Sequence, residues 1–364
     1  MATETVSEFA LDAAPSTPAE AVRRVESADE LGSEWDAYVG ACPDASGWHY
    51  SAWLEVIERA FGHECRRWVA RDEYGRIRGV LPMVRLRSRL FGDFGVSLPF
   101  VNYGGALADD ADTRTALMQA ASEYARQAGM RHIEFRDREA LGAAWPVRTD
   151  KVIMSRSLPE DSETLWQELT TKQRTRVRRA QKHDGITVER GRLELLDDFY
   201  AVFARNMRDL GTPVYGPALF RAVLERFPHA FIVVVRHRER PVAAGFLFGH
   251  RDRLEIPWAS ALRDYNAWGV NMLLYWRCLE SATEQGYLEF DFGRSTVDSG
   301  TYRFKQQWGA EPSPCYWHYW LAPGRDMPGL TPDNPRFRLA IGAWQRLPLA
   351  IANRFGPAIV KNLP

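Results

Sequence analysis

One stretch of the sequence combines an acid, hydroxyls, an arginine and a lysine in a way that suits group-transfer chemistry. It runs Phe-Asp-Phe-Gly-Arg-Ser over residues 290–295 and resumes as Ser-Gly-Thr-Tyr-Arg-Phe-Lys-Gln-Gln-Trp-Gly over residues 299–309. The Lys305 cation can stabilise the negative oxygen that forms when an amine attacks an ester carbonyl, and the Asp291 carboxylate can orient or deprotonate the amine. Alone, either residue is more typical of a structural ion pair. Together they predict an active site, with Gly293 ending the strand that carries Asp291.

A second stretch is strongly basic. Residues 172–182, Lys-Gln-Arg-Thr-Arg-Val-Arg-Arg-Ala-Gln-Lys, hold six positive charges and no acid. The apolar spacing predicts that they continue a helix that begins near Ser162, with the arginines facing outward. Guanidinium groups offer paired donors to phosphate oxygens, which favours a phosphate-binding helix face. An ordinary solvated helix face is the alternative interpretation.

A third candidate is the joint at residues 265–271, between a predicted strand and a predicted helix. Backbone N–H groups at a helix start can bind an anion such as a cofactor pyrophosphate, and a glycine lets the ligand approach the backbone. Only Gly269 is present, and a simple cap by Asn266 is an equal alternative. The sequence therefore argues against coenzyme A as the donor.

Composition excludes several other classes of protein. The chain has 47 basic and 47 acidic residues among 364, so its net charge is zero and does not attract a polyanion. The four cysteines form no Cys-x-x-Cys pair and the eight histidines have no ligand spacing, so we expect no metal and no disulfides. No apolar stretch is long enough to span a bilayer, and residues 1–20 are predicted as a disordered tail rather than a secretory signal. A cytoplasmic protein is expected.

The C-terminal stretch, residues 337–361, is apolar with scattered arginines and follows the last acid, Asp333. Packing against the rest of the protein is the favoured interpretation, and a basic amphipathic surface lying on the inner face of an anionic membrane is the alternative. Pro348 and Pro357 are predicted to break the stretch into short pieces.

The predicted elements occur twice in the same order, at a spacing of roughly 160 residues. Each half has a helix pair, antiparallel strands, a further helix and a returning strand. In the first half the helix pair is predicted at residues 28–61, the strands at 67–84, the further helix from a cap at Asp112 to Gln127, and the returning strand at 133–135. In the second half the same elements are predicted at residues 195–227, 231–260, 269–284 and 287–292. This predicts an α/β chain of two tandem domains similar to acetyltransferase (GNAT) domains, with mixed, mostly antiparallel sheets covered by helices. The predicted domains are 21–158 and 159–325, followed by a helical extension at 326–364.

Two of these motifs and one further loop together resemble the FemABX aminoacyltransferases, and most nearly the FemAB-like proteins of exosortase/PEP-CTERM exopolysaccharide systems. The motifs are the string at 290–309 and the basic stretch at 174–182, and the loop is Asn-Tyr-Gly-Gly at 102–105. The resemblance covers residues 31–320. It implies a double GNAT-like fold and direct transfer, without a covalent enzyme intermediate, of an amino acid from aminoacyl-tRNA to a side-chain amine of a peptidoglycan precursor. The absence of a Ser-His or Cys-His nucleophile signature agrees with this.

The resemblance also assigns roles to residues. Lys305 matches the lysine beside the reacting ester, and Phe304 matches its packing neighbour. The remaining expected substrate-binding residues are Arg174, Arg178 and Lys182 near substrate phosphates, Tyr103 and Asn102 on the first-domain loop, and Arg294, Ser295 and Tyr302 beside the acid. Some members of the family insert a helical arm into the second domain, for which this chain has no room after Lys182.

The sequence therefore predicts an acyl- or aminoacyltransferase that modifies an amine of a peptidoglycan or exopolysaccharide precursor carrying phosphate groups. No bound cofactor is expected, and either aminoacyl-tRNA or acyl-coenzyme A would serve as co-substrate. Two alternatives stay open. One is a coenzyme A-dependent N-acetyltransferase, and the other is a non-catalytic assembly factor for exopolysaccharide.

Overall fold

The computed structural model describes residues 24–27, 32–142, 145–328 and 335–363, and only the backbone at 335–338. The predicted tail at 1–20 lies outside these residues. The elements of the first half are β1 (Arg24–Ser27), α1 (Gly32–Ala41), α2 (Ser51–Phe61), β2 (Glu64–Arg71), β3 (Ile77–Ser88), β4 (Gly92–Val96), β5 (Leu107–Ala108), α3 (Ala111–Gln127), β6 (His132–Asp137), β7 (Val147–Arg148) and β8 (Lys151–Ser157). The helix pair, the hairpin and the returning strand lie where the periodicity predicted them.

The start of α3 differs from the prediction by two residues. Asp110, not Asp112, is the N-cap, because its backbone is extended and its Oδ1 accepts a hydrogen bond from the Thr113 amide at 2.7 Å. Asp112 lies instead in the first turn, where a carboxylate is favourable to the helix dipole.

The second half contains α4 (Ser162–Glu168), α5 (Thr171–Gln181), β9 (Ile186–Gly191), α6 (Leu196–Leu210), α7 (Pro217–Arg226), β10 (Ala230–His237), β11 (Arg240–His250), β12 (Arg253–Ala261), α8 (Val270–Glu284), β13 (Glu289–Thr296), α9 (Gly300–Gln307), β14 (Glu311–Pro314), β15 (Tyr316–Leu321), α10 (Pro335–Gln345) and α11 (Leu349–Val360). The single helix predicted from Ser162 through the basic stretch is two helices. Leu169 is extended, and Thr170 starts α5 with a capping box to Gln173.

The strands form two mixed, mostly antiparallel sheets. The first has the order β1-β2-β3-β4-β6-β15-β7, with β5 beside β3, and the second has the order β14-β8-β13-β12-β11-β10-β9. Among the described strands, the parallel pairs are β4 with β6 and β12 with β13. Each half thus carries one parallel pair at the equivalent place, which agrees with the duplication read from the sequence.

The two halves exchange a strand. β8, predicted in the first domain, pairs with β13 in the second sheet, and β15, predicted in the second domain, pairs with β6 in the first. A buried hydrogen bond supports this exchange, because Tyr319 on β15 donates to Glu134 on β6 at 2.5 Å. Sheet membership therefore moves both strands across the predicted boundary at residues 158 and 159.

The core between the halves is continuous. Trp48, in a short helical turn after α1, stacks on Phe248 of β11 with ring centroids 3.9 Å apart. A Cβ on Gly47 would lie 2.4 Å from the Phe248 ring, so only glycine lets the turn approach this closely. The largest cluster of buried apolar side chains accordingly draws on both halves.

The C-terminal helices pack against the second half. α10 and α11 contact α6, and Arg208 of α6 donates to the Leu347 carbonyl at 2.8 Å. Pro348 separates the two helices as predicted, but Pro357 lies inside α11. The preceding Gly356 has no Cβ to clash with the proline ring, which removes one of the obstacles to a helix through Pro357. Among the described residues, none of the helices combines the length and the apolarity needed to cross a membrane.

The strand exchange predicts that a fragment ending at residue 158 does not fold. It would leave the edge of β6 without β15, and β8 without β13. We expect disordered circular dichroism for the fragment and fast amide hydrogen exchange in β6, whereas the full chain protects those amides. Native-like protection of β6 in the isolated fragment would contradict this account.

Candidate active site between the two halves

The candidate site lies where β12 and β13 separate. Their parallel pairing covers three residues and ends at Glu255 and Asp291, although both strands continue. Gly293 follows with φ of +75°, at a shift in register against β8. The sequence predicted that this glycine ends the strand. It instead forms a bulge within β13, because a left-handed glycine can kink a strand without terminating it.

Lys305 reaches this bulge from α9, which begins at the N-cap Ser299. Its Nζ donates to the carbonyl oxygens of Gly293 and Arg294, both at 2.9 Å, and the residue is 7% exposed. In the described part of the chain, these two carbonyls are the polar contacts of Lys305 Nζ, and it forms no ion pair with a carboxylate there. Burial lowers the pKa of Lys305 to about 8, although the charge of Asp291 acts in the opposite direction. The ammonium is thus held by neutral carbonyls and keeps its charge available.

Asp291 is fully buried and is held by groups from both halves. Its Oδ2 accepts from the Tyr103 hydroxyl at 2.8 Å, and its Oδ1 accepts from the Gly293 amide at 2.6 Å. Arg253 in turn donates to the Tyr103 oxygen at 3.2 Å. Burial raises the pKa of Asp291, and these donors and the charges of Arg253 and Lys305 oppose that rise. The structure therefore brings Asp291, Tyr103 and Lys305 together at one point.

Glu255 is a second buried acid that sequence reasoning missed. Its Oε2 accepts from the Trp48 indole at 2.7 Å, and its Oε1 accepts from Asn102 Nδ2 at 3.0 Å. Burial and the neighbouring Asp291 charge raise its pKa. The signal available in the sequence was a glutamate between Leu254 and Ile256 in a strand, because a charged residue among apolar ones is rarely buried without a partner.

A groove between the halves lies beside these residues, and Tyr103, which donates to Asp291, is one of its lining residues. The groove has a volume of about 550 Å³, and its walls also include Arg253, Glu289, Arg136 and Cys315. Arg253 and Glu289 form an ion pair of 2.7 Å. A polar groove between two domains, next to buried titratable groups, is a typical position for an active site.

The other residues of the predicted string lie around this point in different environments. Phe304 packs into the second core against Tyr275, with ring centroids 4.9 Å apart, and Tyr302 is partly buried there. Ser295 is buried, and its Oγ has no partner within the described structure. The Arg294 guanidinium lies over the ring of Trp317 at 4.8 Å. The string therefore surrounds the bulge on several sides.

The basic helix does not join the groove. Arg178 and Lys182 line a separate open surface cavity with Arg179 and His183, and Arg174 donates to the backbone carbonyl of Gln167. The helix contacts the site's framework at its first turn, where Gln173 donates to the carbonyl of Gln307 at the end of α9.

The segment that connects β12 to α8 leaves no room for a ligand at Gly269. Gly269, with φ of +84°, is the N-cap, so the cap predicted at Asn266 is wrong; the Asn266 carbonyl instead accepts from the Gly269 amide. A Cβ at Gly269 would lie 2.9 Å from the carbonyl oxygen of Arg176 on α5. The basic helix thus occupies the space beside this backbone.

Comparison with known proteins identifies the fold. A family model described as an acetyltransferase (GNAT) domain matches residues 169–306. FemX is similar at 15% identity with a TM-score of 0.62, over 80% of this chain and 96% of FemX. The C-terminal domain of a protein assigned as a lysylphosphatidylglycerol synthetase from Agrobacterium fabrum is similar at 14% identity with a TM-score of 0.51, over 73% of this chain and 92% of that domain. L-PGS from Bacillus licheniformis gives 14% identity and a TM-score of 0.51, over 76% and 93%. No curated protein matches the sequence.

These likenesses confirm the predicted fold class, an α/β chain with two GNAT-like domains. Fold alone does not assign an activity, which has to be argued from the site. The more specific resemblance to exosortase-associated proteins stays a prediction.

The hydrogen bond from Tyr103 to Asp291 is expected to stabilise the joined halves. Tyr103→Phe leaves one buried carboxylate oxygen without its side-chain donor, so the free energy of unfolding in urea should fall by about 1–3 kcal/mol. Tyr74→Phe is the matched control, since Tyr74 is 70% exposed. Equal unfolding midpoints for the two variants would rule out the assigned role of the Tyr103 hydroxyl.

Proposed function

We propose that the chain is a transferase that joins an acyl or aminoacyl group directly to an amine of a cell-envelope precursor. The observation that carries the proposal is the placement of the Lys305 ammonium, buried at the bulge of β13 and free of a carboxylate partner among the described residues. The GNAT fold, the similarity to FemX and the groove between the halves support it.

Lys305 acts as the oxyanion stabiliser. The amine nitrogen attacks the carbonyl carbon of the donor, and the carbonyl oxygen becomes negative while the new N–C bond forms. An ammonium in a low-dielectric site stabilises that oxygen more strongly than water would. The tetrahedral centre then collapses, the bond to the donor's leaving oxygen or sulfur breaks, and the amide remains on the acceptor.

A buried carboxylate takes the proton that the attacking amine must lose. Glu255 on β12 and Asp291 on β13 are register partners. Burial raises the pKa of both acids, and the charge of Asp291 raises that of Glu255 further, to about 8, so Glu255 is poised to accept a proton near neutral pH. The proton is then available for the leaving group, which leaves the enzyme unchanged.

The donor and acceptor are proposed by class. The acceptor is an amine of a peptidoglycan or exopolysaccharide precursor with phosphate groups, and the exposed face of α5 with Arg174, Arg178 and Lys182 is the proposed phosphate contact. Aminoacyl-tRNA is favoured as donor over acyl-coenzyme A because α5 fills the space beside Gly269. We further propose that the enzyme works in the cytoplasm, at the inner face of the membrane, with residues 337–361 as its contact.

Loss of Lys305 should abolish transfer. Removing one oxyanion stabiliser typically lowers the rate by about 10²–10³-fold, so cells that carry Lys305→Ala should accumulate the same unmodified precursor as cells without the protein. Mass spectrometry of envelope precursors would detect it as a species lighter by one acyl or aminoacyl group. Lys305→Met keeps the aliphatic packing and controls for folding, and Arg221→Met on an exposed helix face controls for loss of a cation.

Normal precursors in the Lys305→Ala cells would exclude the catalytic role and favour the assembly-factor alternative. The coenzyme A alternative is tested separately by calorimetric titration of the purified protein with acetyl-coenzyme A. Micromolar binding there would overturn the choice of donor without affecting the role of Lys305.

Transfer should depend on pH through Lys305. The ammonium is the active form and the pKa of Lys305 is about 8, so the rate should fall as pH rises through that value. Lys305→Arg keeps a cation whose pKa lies above about 12, so its residual activity should persist at higher pH. The measurement is the pH profile of acceptor modification, with precursor isolated from deletion cells and an extract of those cells as donor source. An alkaline limb unchanged in Lys305→Arg would contradict the assignment.

A further inference from the structure

Arg294 is a partly buried arginine whose side chain the proposed chemistry does not use. Its backbone carbonyl holds Lys305, but its side chain makes no hydrogen bond and no ion pair within the described residues. Its contact is with the ring of Trp317, which the Arg136 guanidinium also approaches, at 4.6 Å. None of its nitrogens is among the fully buried unpaired atoms of the described residues, so its donors stay open to a ligand.

The surrounding charges compensate Arg294 only in part, through Glu134. Arg136 is fully engaged, because it donates to Glu134 at 2.7 Å and to the carbonyls of Leu98 and Val101. Although burial acts to raise it, the pKa of Glu134 is lowered by Arg136 and the Tyr319 hydroxyl, so this acid is ionised. Two guanidinium groups thus face one carboxylate that is already bonded.

Burial and the neighbouring Arg136 charge lower the pKa of Arg294 to about 10, so it still carries its charge at neutral pH. One uncompensated positive charge therefore remains at this place. The electrostatics favour an anion there.

Two further donors near Arg294 are unpaired. The Tyr215 hydroxyl makes no hydrogen bond within the described structure, and its ring packs on Phe100, next to the Val101 carbonyl that binds Arg136. Burial raises the pKa of Tyr215 to about 12, so the group is a neutral donor. The Trp317 indole nitrogen is buried and also without a partner.

The place lies beside the interdomain groove. Arg136, Cys315 and Ile153 line that groove, Ile153 is the register partner of Arg294 on β8, and Cys315 is an electrostatic neighbour of Arg294. The Lys305 ammonium is bonded to the carbonyl of the same Arg294, so an anion held by the guanidinium would lie close to the proposed reacting group.

We propose that Arg294 and the Tyr215 hydroxyl bind an oxyanion, a carboxylate or a phosphate of the substrate, beside the groove. A guanidinium offers parallel donors to two oxygens of such a group, and the hydroxyl adds a third. Assigning the anion to the substrate rests on the proposed transferase function, whereas anion binding itself does not. The site would orient the substrate by a charged group distant from the amine that reacts.

The test measures anion binding by the full-length protein through its melting temperature. Sodium phosphate and sodium acetate are titrated separately, at constant ionic strength set with sodium chloride. We expect one of them to raise Tm saturably in the wild type and in Lys305→Met, and Arg294→Met to weaken that anion's apparent affinity by at least about tenfold. Saturation by phosphate identifies a phosphate group as the ligand, and saturation by acetate identifies a carboxylate. Arg221→Met, exposed on α7, should behave as the wild type.

No saturable shift with either anion in the wild type, or the same shift in Arg294→Met, would overturn the proposal. Stability in chloride alone gives a second readout. Because the charge is compensated only in part, Arg294→Met should unfold at a higher urea concentration than the wild type, and a lower midpoint would mean that the guanidinium is a structural partner instead. If Lys305→Met also retained transfer, the proposed function would fail while the anion site stood.

Discussion

The structure depends on two buried carboxylates at the point where β12 and β13 separate. Burying Asp291 and Glu255 is unfavourable unless donors replace the water they lose. Those donors come largely from the other half of the chain, as Tyr103 for Asp291 and as Trp48 and Asn102 for Glu255. The acids can therefore be buried only when the halves are joined, so the site and the domain interface form together.

The exchange of β8 and β15 serves the same end. Each sheet completes itself with a strand from the other half, and the buried ion pair of Glu134 and Arg136 lies beside the exchanged β15. A continuous apolar core between the halves adds to this. Relative motion of the halves is thereby restricted, which keeps the groove and the Lys305 ammonium in fixed relation, as a preorganised site requires.

Several local predictions were wrong by small amounts for definite reasons. The cap of α3 lies at Asp110 because cap choice depends on backbone angles that neighbouring acids do not reveal. The helix before the basic stretch is interrupted because Thr170 and Gln173 form a capping box, which the charge pattern concealed. Gly293 forms a bulge rather than an end because β8 continues the pairing beyond it.

The sequence by itself determined the order of the elements, the duplication and the string that carries Asp291 and Lys305, because periodicity and local composition act over short separations. Only the tertiary structure decided the strand exchange, the burial of Glu255 against Asp291 and the absence of a side-chain hydrogen bond or ion pair for Arg294 among the described residues. These depend on contacts such as that of Trp48 with Glu255, between residues 207 positions apart. No local pattern encodes which distant donor reaches a buried acid, so the folded chain alone shows which charges are paired.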